Sequence, residues 1–202
     1  MAVSGENKRE ALLATGWSIA IVSHVAVSSL VSPSSARNRS SRCYPVGRLD
    51  KNSHGLILLT NDGRLPNASL RSEMKKDKVY EVAVHRDLTS EDLRRLASGV
   101  TITTIAQRKT KRVTLTAPTK PCKVEQLRRK KFRIVLNEGR NRQIRKMCNA
   151  LGMEVINLKR VSFMGIGLGR LREGEWDFLN DAEIAAVRDT ILARDENKSS
   201  RP

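Results

Sequence analysis

The chain has 202 residues, with 38 Lys and Arg against 21 Asp and Glu and a net charge of +17. Its 39% hydrophobic content is enough for one core, and the positive surplus points to a polyanion partner, because Lys and Arg neutralise phosphates and release counterions. No apolar run reaches the ~18 residues that span a membrane, no CxxC or helical HxxxH pair offers a metal site, and three unpatterned cysteines, Cys43, Cys122 and Cys148, fit a reducing compartment.

Taken in chain order, residues 1–43 stand apart. From Ala11 to Arg42 there is no acidic residue and there are nine serines. The run WSIAIVSHVAVSSLV (17–31) is moderately apolar, and a secretory signal, an organelle transit peptide or a poorly ordered segment all fit it. At most Ile19 to Val31 is expected to pair with a sheet edge, and Arg37, Arg39 and Arg42 are expected to be the first points of proteolysis. Tyr44 to Val46 reads as a short strand. Gly55 to Thr60 (GLILLT) is an apolar strand closed by the turn residues Asn61, Asp62 and Gly63. KVYEVAV (78–84) alternates as a strand. Thr89 and Asp92 cap a helix that Gly99 stops. Val100–Thr104, Arg112–Thr116, Lys123–Leu127 and Phe132–Leu136 read as further strands.

Between Thr101 and Lys131 the sole acidic residue is Glu125, against ten Lys and Arg, so this span reads as a phosphate-facing surface. In RNRQIRKMCNALG, Ile144, Met147, Cys148 and Leu151 form one helical stripe that Gly152 ends. Glu154 to Phe163 reads as strand. Asn180 and Glu183 form a capping box for a last helix carrying Ile184, Val187 and Ile191. Residues 195–202 are expected to be a flexible tail. Strands and helices mix without βαβ alternation, so the expected class is α+β.

Three segments in this order, GRLDKNSHGLILLTNDG, KVYEV and EGRNRQIRKMCNALG, resemble the signature segments of the RsuA-type family of ribosomal RNA pseudouridine synthases, in particular its RluF-like branch. The resemblance covers about residues 44–184. It implies the pseudouridine synthase fold, a mixed and largely antiparallel sheet with flanking helices, in a catalytic domain at 44–194. It also implies isomerisation of uridine in RNA, with no cofactor and no metal. Family members usually begin with a small RNA-binding domain and carry a KPxG-type segment before GRLD, and neither is apparent in residues 1–43.

By the same resemblance Asp50 is the essential carboxylate, Tyr80 stacks near the target base and takes part in proton transfer, and Arg145 pairs with Asp50. A carboxylate that must stay ionised beside RNA needs neighbouring cations, and Arg48 and Arg145 are placed to supply them. By spacing alone Tyr80 reads as a core strand tyrosine and Asp50 as a turn aspartate. The expected substrate-binding residues are Arg48, Lys78, Gly139, Arg140, Asn141, Arg142, Gln143 and Ile144. Gly139 and the helix start after it suit an anion, because free backbone N–H groups point there. Ile144 is expected to pack against the base, a role compatible with core packing.

The implied partner is rRNA of the large subunit, with no membrane and a monomeric chain. The compartment is the cytoplasm, or a mitochondrion or plastid if the first segment is a transit peptide. Two other readings stand beside the enzyme: a catalytically inactive RNA-binding or ribosome-assembly factor derived from one, and a basic RNA-binding module with no enzymatic ancestry.

Overall fold

The computed structural model describes residues 19–23, 44–62, 65, 77–108 and 111–192. The expectations placed on Arg37, Arg39 and Arg42, on Lys109 (one of the ten basic residues between Thr101 and Lys131) and on the tail from Asp195 lie outside the described residues. In chain order the elements are β1 (Ile19–Ser23), β2 (Tyr44–Val46), β3 (His54–Thr60), β4 (Lys78–Val84), α1 (Ser90–Ser98), β5 (Thr101–Arg108), β6 (Lys111–Pro118), β7 (Lys123–Arg128), β8 (Lys131–Leu136), α2 (Gln143–Ala150), β9 (Val155–Phe163), β10 (Ile166–Gly167), β11 (Trp176–Phe178) and α3 (Asp181–Leu192). The class is α+β, as the lack of βαβ alternation leads one to expect, and the chain divides into two compact units.

One unit holds Met1–Leu49, Gly55–Met74 and Gly165–Pro202. Its centre is β3, buried from Gly55 to Thr60 as a continuous apolar run requires. Both β2 (Tyr44↔Thr60) and β1 (Ile19↔Thr60) lie antiparallel to it. Within this unit β1 is not an edge: β11 pairs along it on the other side (Ala20↔Phe178). Three residues are too few to show a period-2 pattern, so WDF carried no strand signal. Trp176 meets Phe178 edge-on at 5.5 Å and packs against Ile57 and Leu59. The capping box of α3 forms as expected. Asn180 N donates to Glu183 Oε2 and Glu183 N to Asn180 Oδ1, both at 3.0 Å.

The other unit holds Asp50–His54 and Lys75–Met164. Its strand order is β9-β4-β8-β7, antiparallel at each step. The alternation in KFRIVL puts Phe132, Ile134 and Leu136 on the inner face, opposite Val82, Tyr80 and Lys78 of β4. Along β4 that inner face therefore changes character, from Val84 and Val82 in the core to Tyr80 and Lys78, which are half-buried. Leu96 of α1 and Ile144, Met147 and Cys148 of α2 close the core, as the helical stripe predicts. The thiol of Cys148 is pushed up to about 12, chiefly by burial, so it is an inert apolar side chain. The strands β5 and β6 form a separate ribbon from Thr101↔Pro118 to Arg108↔Lys111.

Two β-bulges shape β9. Register shifts fall between Ala83 and Val84 and between Val79 and Tyr80, so the buried positions run Val155, Leu158, Arg160, Phe163 rather than strictly every second residue. The second bulge sets Arg160 opposite Tyr80 and turns Phe163 to the same face.

Gly99, which stops α1, has φ of 105°, and a Cβ there would collide with the Thr119 carbonyl oxygen. That carbonyl cannot easily give way. Thr119 is buried, its N–H donates to Val100 O at 3.0 Å, and its hydroxyl accepts from Val100 N at 3.0 Å. Gly99→Ala is therefore expected to destabilise the protein by about 2 kcal/mol or more. A chemical denaturation midpoint equal to that of the unaltered protein would contradict this.

Candidate active site

Asp50 opens a tight turn. Ser53 N donates to Asp50 O at 2.9 Å, and β3 begins directly after. The turn is held from α2: Arg145 Nη2 donates to Asn52 O at 2.6 Å and Nη1 to Val155 O at 3.0 Å. A single guanidinium thus ties the Asp50 turn to the start of β9. Burial first, and then the charge of Arg142, pull Arg145 below its ordinary value, while the Asp50 carboxylate pulls it back up. Through these two bonds the guanidinium fixes the backbone beside the Asp50 carboxylate.

Tyr80 sits on β4 with its ring against the core cluster that contains Ile144. Arg160, a side chain only 2% exposed, lies opposite it in the β4–β9 register. Burial pushes the Arg160 guanidinium down, and Tyr80 opposes the shift. Arg160 also lies over the Phe163 ring at 4.9 Å, and Lys78 Nζ lies 5.7 Å from the same ring. Lys78 is pulled below its ordinary value by burial first and by Arg160 second. Lys78, Tyr80, Arg160 and Phe163 thus form a cationic, aromatic end to the inner face of the sheet. Arg160 and Phe163 were not singled out in the sequence. The available signal was a charged residue two positions after Leu158, in phase with an inward-facing strand.

The segment from Gly139 to Ile144 is the loop into α2. Gly139 is exposed, and a Cβ there would meet nothing. Asn141 and Arg142 are exposed, and Arg142 takes the left-handed backbone (φ 52°) at the helix start. Arg140 turns back to brace β6, donating to Ala117 O at 3.0 Å and Pro118 O at 2.6 Å. Gln143 is buried. Its amide donates to Glu138 Oε1 at 2.7 Å and its oxygen accepts from Arg140 N at 3.0 Å. Arg48 is exposed and belongs to the first unit.

On the opposite face of the sheet, Glu81 is held by Lys131 at 2.6 Å and by Arg133 at 3.2 Å. Arg129 pairs with Asp87 at 2.5 Å. In the run from Arg128 to Lys131, Arg128 and Lys130 are exposed and the other two are committed to carboxylates. Among the described residues no group of three or more His, Cys, Asp or Glu gathers as a metal donor set, and no helix is long and apolar enough to cross a membrane.

The aspartate turn pinned by arginine and the strand tyrosine opposite a buried arginine lie in the same compact unit. The RNA pseudouridylate synthase family model matches residues 7–150, and the chain belongs to that family. It is 41% identical over 163 residues to the dual-specificity RNA pseudouridine synthase RluF of Escherichia coli (strain K12), covering 81% of this chain and 51% of that protein. It is 36% identical over 156 residues to ribosomal large subunit pseudouridine synthase B of Bacillus subtilis (strain 168), covering 75% and 60%. A crystal structure of a pseudouridylate synthase superposes with a TM-score of 0.69 at 25% identity, over 85% of this chain and 74% of that one. The chain spans about half the length of the RluF proteins it matches.

Proposed function

We propose that this chain isomerises uridine to pseudouridine in RNA, with large-subunit rRNA as its substrate, and that it acts as a monomer. The observation that carries the reading is the Asp50 turn held by Arg145, in a chain of this family. In the reaction the N1–C1′ bond breaks, the base turns, and C5 bonds to C1′. N1 gains a proton and C5 loses one, so no electron donor or acceptor is needed. Asp50 acts at C1′, as nucleophile or as ionic partner to the developing positive charge. Tyr80 offers the extruded base a π-face in place of its lost neighbours and a hydroxyl for the proton movement. Lys78, Arg142 and Asn141 contact the nucleotide backbone, and Ile144 supports the stacking from below.

The test is release of tritium from large-subunit rRNA transcribed with uridine labelled at C5, since that hydrogen leaves when the new bond forms. Release in proportion to pseudouridine found on nucleoside analysis supports the enzyme. Tight RNA binding without release would instead support an inactive RNA-binding factor.

RNA affinity should fall steeply with salt. Reversing Arg128 and Lys130 together, Arg128→Glu with Lys130→Glu, is expected to lower the log–log slope of affinity against salt by about one to two. Filter binding over a salt series checks this. An unchanged slope would assign both residues to solvated surface.

A further inference from the structure

Arg160 heads the large side chains that are fully buried in the described residues, at 2% exposure. Burying a charge costs more than its pairing returns in many proteins, and replacement by an apolar residue of like volume is often neutral or stabilising. Stability alone therefore gives little reason for a guanidinium here. Its surroundings give another. The bulge at Val79–Tyr80 sets Arg160 opposite Tyr80, and the Phe163 ring, 4.9 Å from the guanidinium carbon, backs it. A guanidinium has five N–H donors and no acceptor. Set opposite Tyr80, the Arg160 guanidinium can therefore only donate to the phenol oxygen, which directs the phenol's own proton away from Arg160.

We propose that Arg160 is a positioning residue for Tyr80: it fixes the phenol oxygen as an acceptor, so that the Tyr80 proton points towards the base being turned. The idea rests on the isomerase reading above and adds a residue outside the three signature segments. A tyrosine on a strand has two soft side-chain torsions before its hydroxyl rotor, and stacking alone leaves that rotor unset. Arg160 sets it through a side chain that is itself fixed by the β4–β9 pairing and by the Phe163 ring.

The experiment compares Arg160→Met, Arg160→Lys, Tyr80→Phe and the double variant Arg160→Met/Tyr80→Phe, using large-subunit rRNA tritiated at C5 of uridine. Arg160→Met is expected to lower kcat about 100-fold and to leave RNA affinity within about threefold, the size of effect that loss of orientation produces. Arg160→Lys, which restores one donor, should recover about tenfold of that loss. In the Tyr80→Phe background, Arg160→Met should cost less than about threefold more, because residues that act through one another are not additive. Near-normal turnover of Arg160→Met, or full additivity in the double variant, overturns the proposal.

A second arm does not need activity. The chain has two tyrosines, Tyr44 and Tyr80, so carbon-13 at tyrosine Cζ gives two resonances, which Tyr44→Phe assigns. Arg160→Met should move the Tyr80 resonance and leave that of Tyr44, and an unmoved Tyr80 resonance overturns the proposal. If the unaltered chain releases no tritium, the isomerase reading falls and the resonance alone decides whether Arg160 sets Tyr80.

Discussion

Asp50→Asn is expected to abolish pseudouridine formation, by at least about a thousandfold, while RNA affinity stays within about threefold. The variant isolates the charge. The turn is closed by backbone, Ser53 N to Asp50 O at 2.9 Å, and Arg145 reaches it through the Asn52 carbonyl at 2.6 Å. None of these contacts uses the Asp50 side chain, so an asparagine keeps the shape. What it loses is the carboxylate's ability to attack or to balance positive charge at C1′. Single-turnover tritium release with filter binding on the same RNA separates the two effects. Turnover within tenfold of the unaltered chain would remove Asp50 from the chemistry.

A comparable loss, in stability rather than rate, is expected at Asp92. This buried carboxylate completes the Thr89 capping box, accepting from Thr89 N at 2.9 Å while Thr89 Oγ1 accepts from Asp92 N at 3.1 Å. It also takes a two-pronged contact from Arg86, at 2.7 and 3.0 Å, and Arg86 Nη2 continues to Leu151 O at the end of α2. The Arg86 guanidinium first, then the Thr89 donors, hold the Asp92 carboxyl well below the usual carboxylate range. Asp92→Ala should cost about 2 kcal/mol through the lost cap and the unpaired neighbours.

The pH dependence follows from the direction of the shift. A carboxylate whose folded value is depressed contributes fully above its unfolded value of about 4 and loses that contribution as pH falls below it. Denaturation midpoints should therefore decline between about pH 5 and pH 2 in the unaltered chain. Asp92→Asn should lower the midpoint at neutral pH and flatten that decline. Parallel acid profiles for the two proteins would show that Asp92 is not a source of the decline.

The elements that declared themselves in the sequence were those with a strong local period or cap. KVYEVAV, FRIVL, the Thr89–Asp92 helix and the Ile144–Met147–Cys148 stripe all fold where pattern placed them, because burial of one face decides their structure locally. What was not legible depended on pairing across the chain. The two-sided pairing of β1 is set by β11, a three-residue strand with no pattern of its own. Arg160 was missed because the bulges of β9 break the alternation along VINLKRVSF, leaving only the Leu158–Arg160 step in phase. Arg140 and Gln143 are similar: the sequence marks the loop, but only the folded chain shows Arg140 spending its donors on Ala117 and Pro118 and Gln143 held by Glu138.

The antiparallel pairing of β4 with β9 also has a consequence for how the protein comes into being on the ribosome. The two strands are joined only through everything from His85 to Glu154, so their docking closes one of the longest loops in the second unit. Closing such a loop costs entropy before any contact rewards it, and chains dominated by such pairings fold slowly. During synthesis the aspartate and the tyrosine emerge early, while Arg145 and Arg160 emerge late. A nascent chain that ends before Val155 displays Asp50 and Tyr80 with neither the β9 ladder nor the Arg160 contact in place. Assembly of the Asp50 turn and of the Tyr80–Arg160 pair is thus coupled to the last stretch of this unit leaving the exit tunnel.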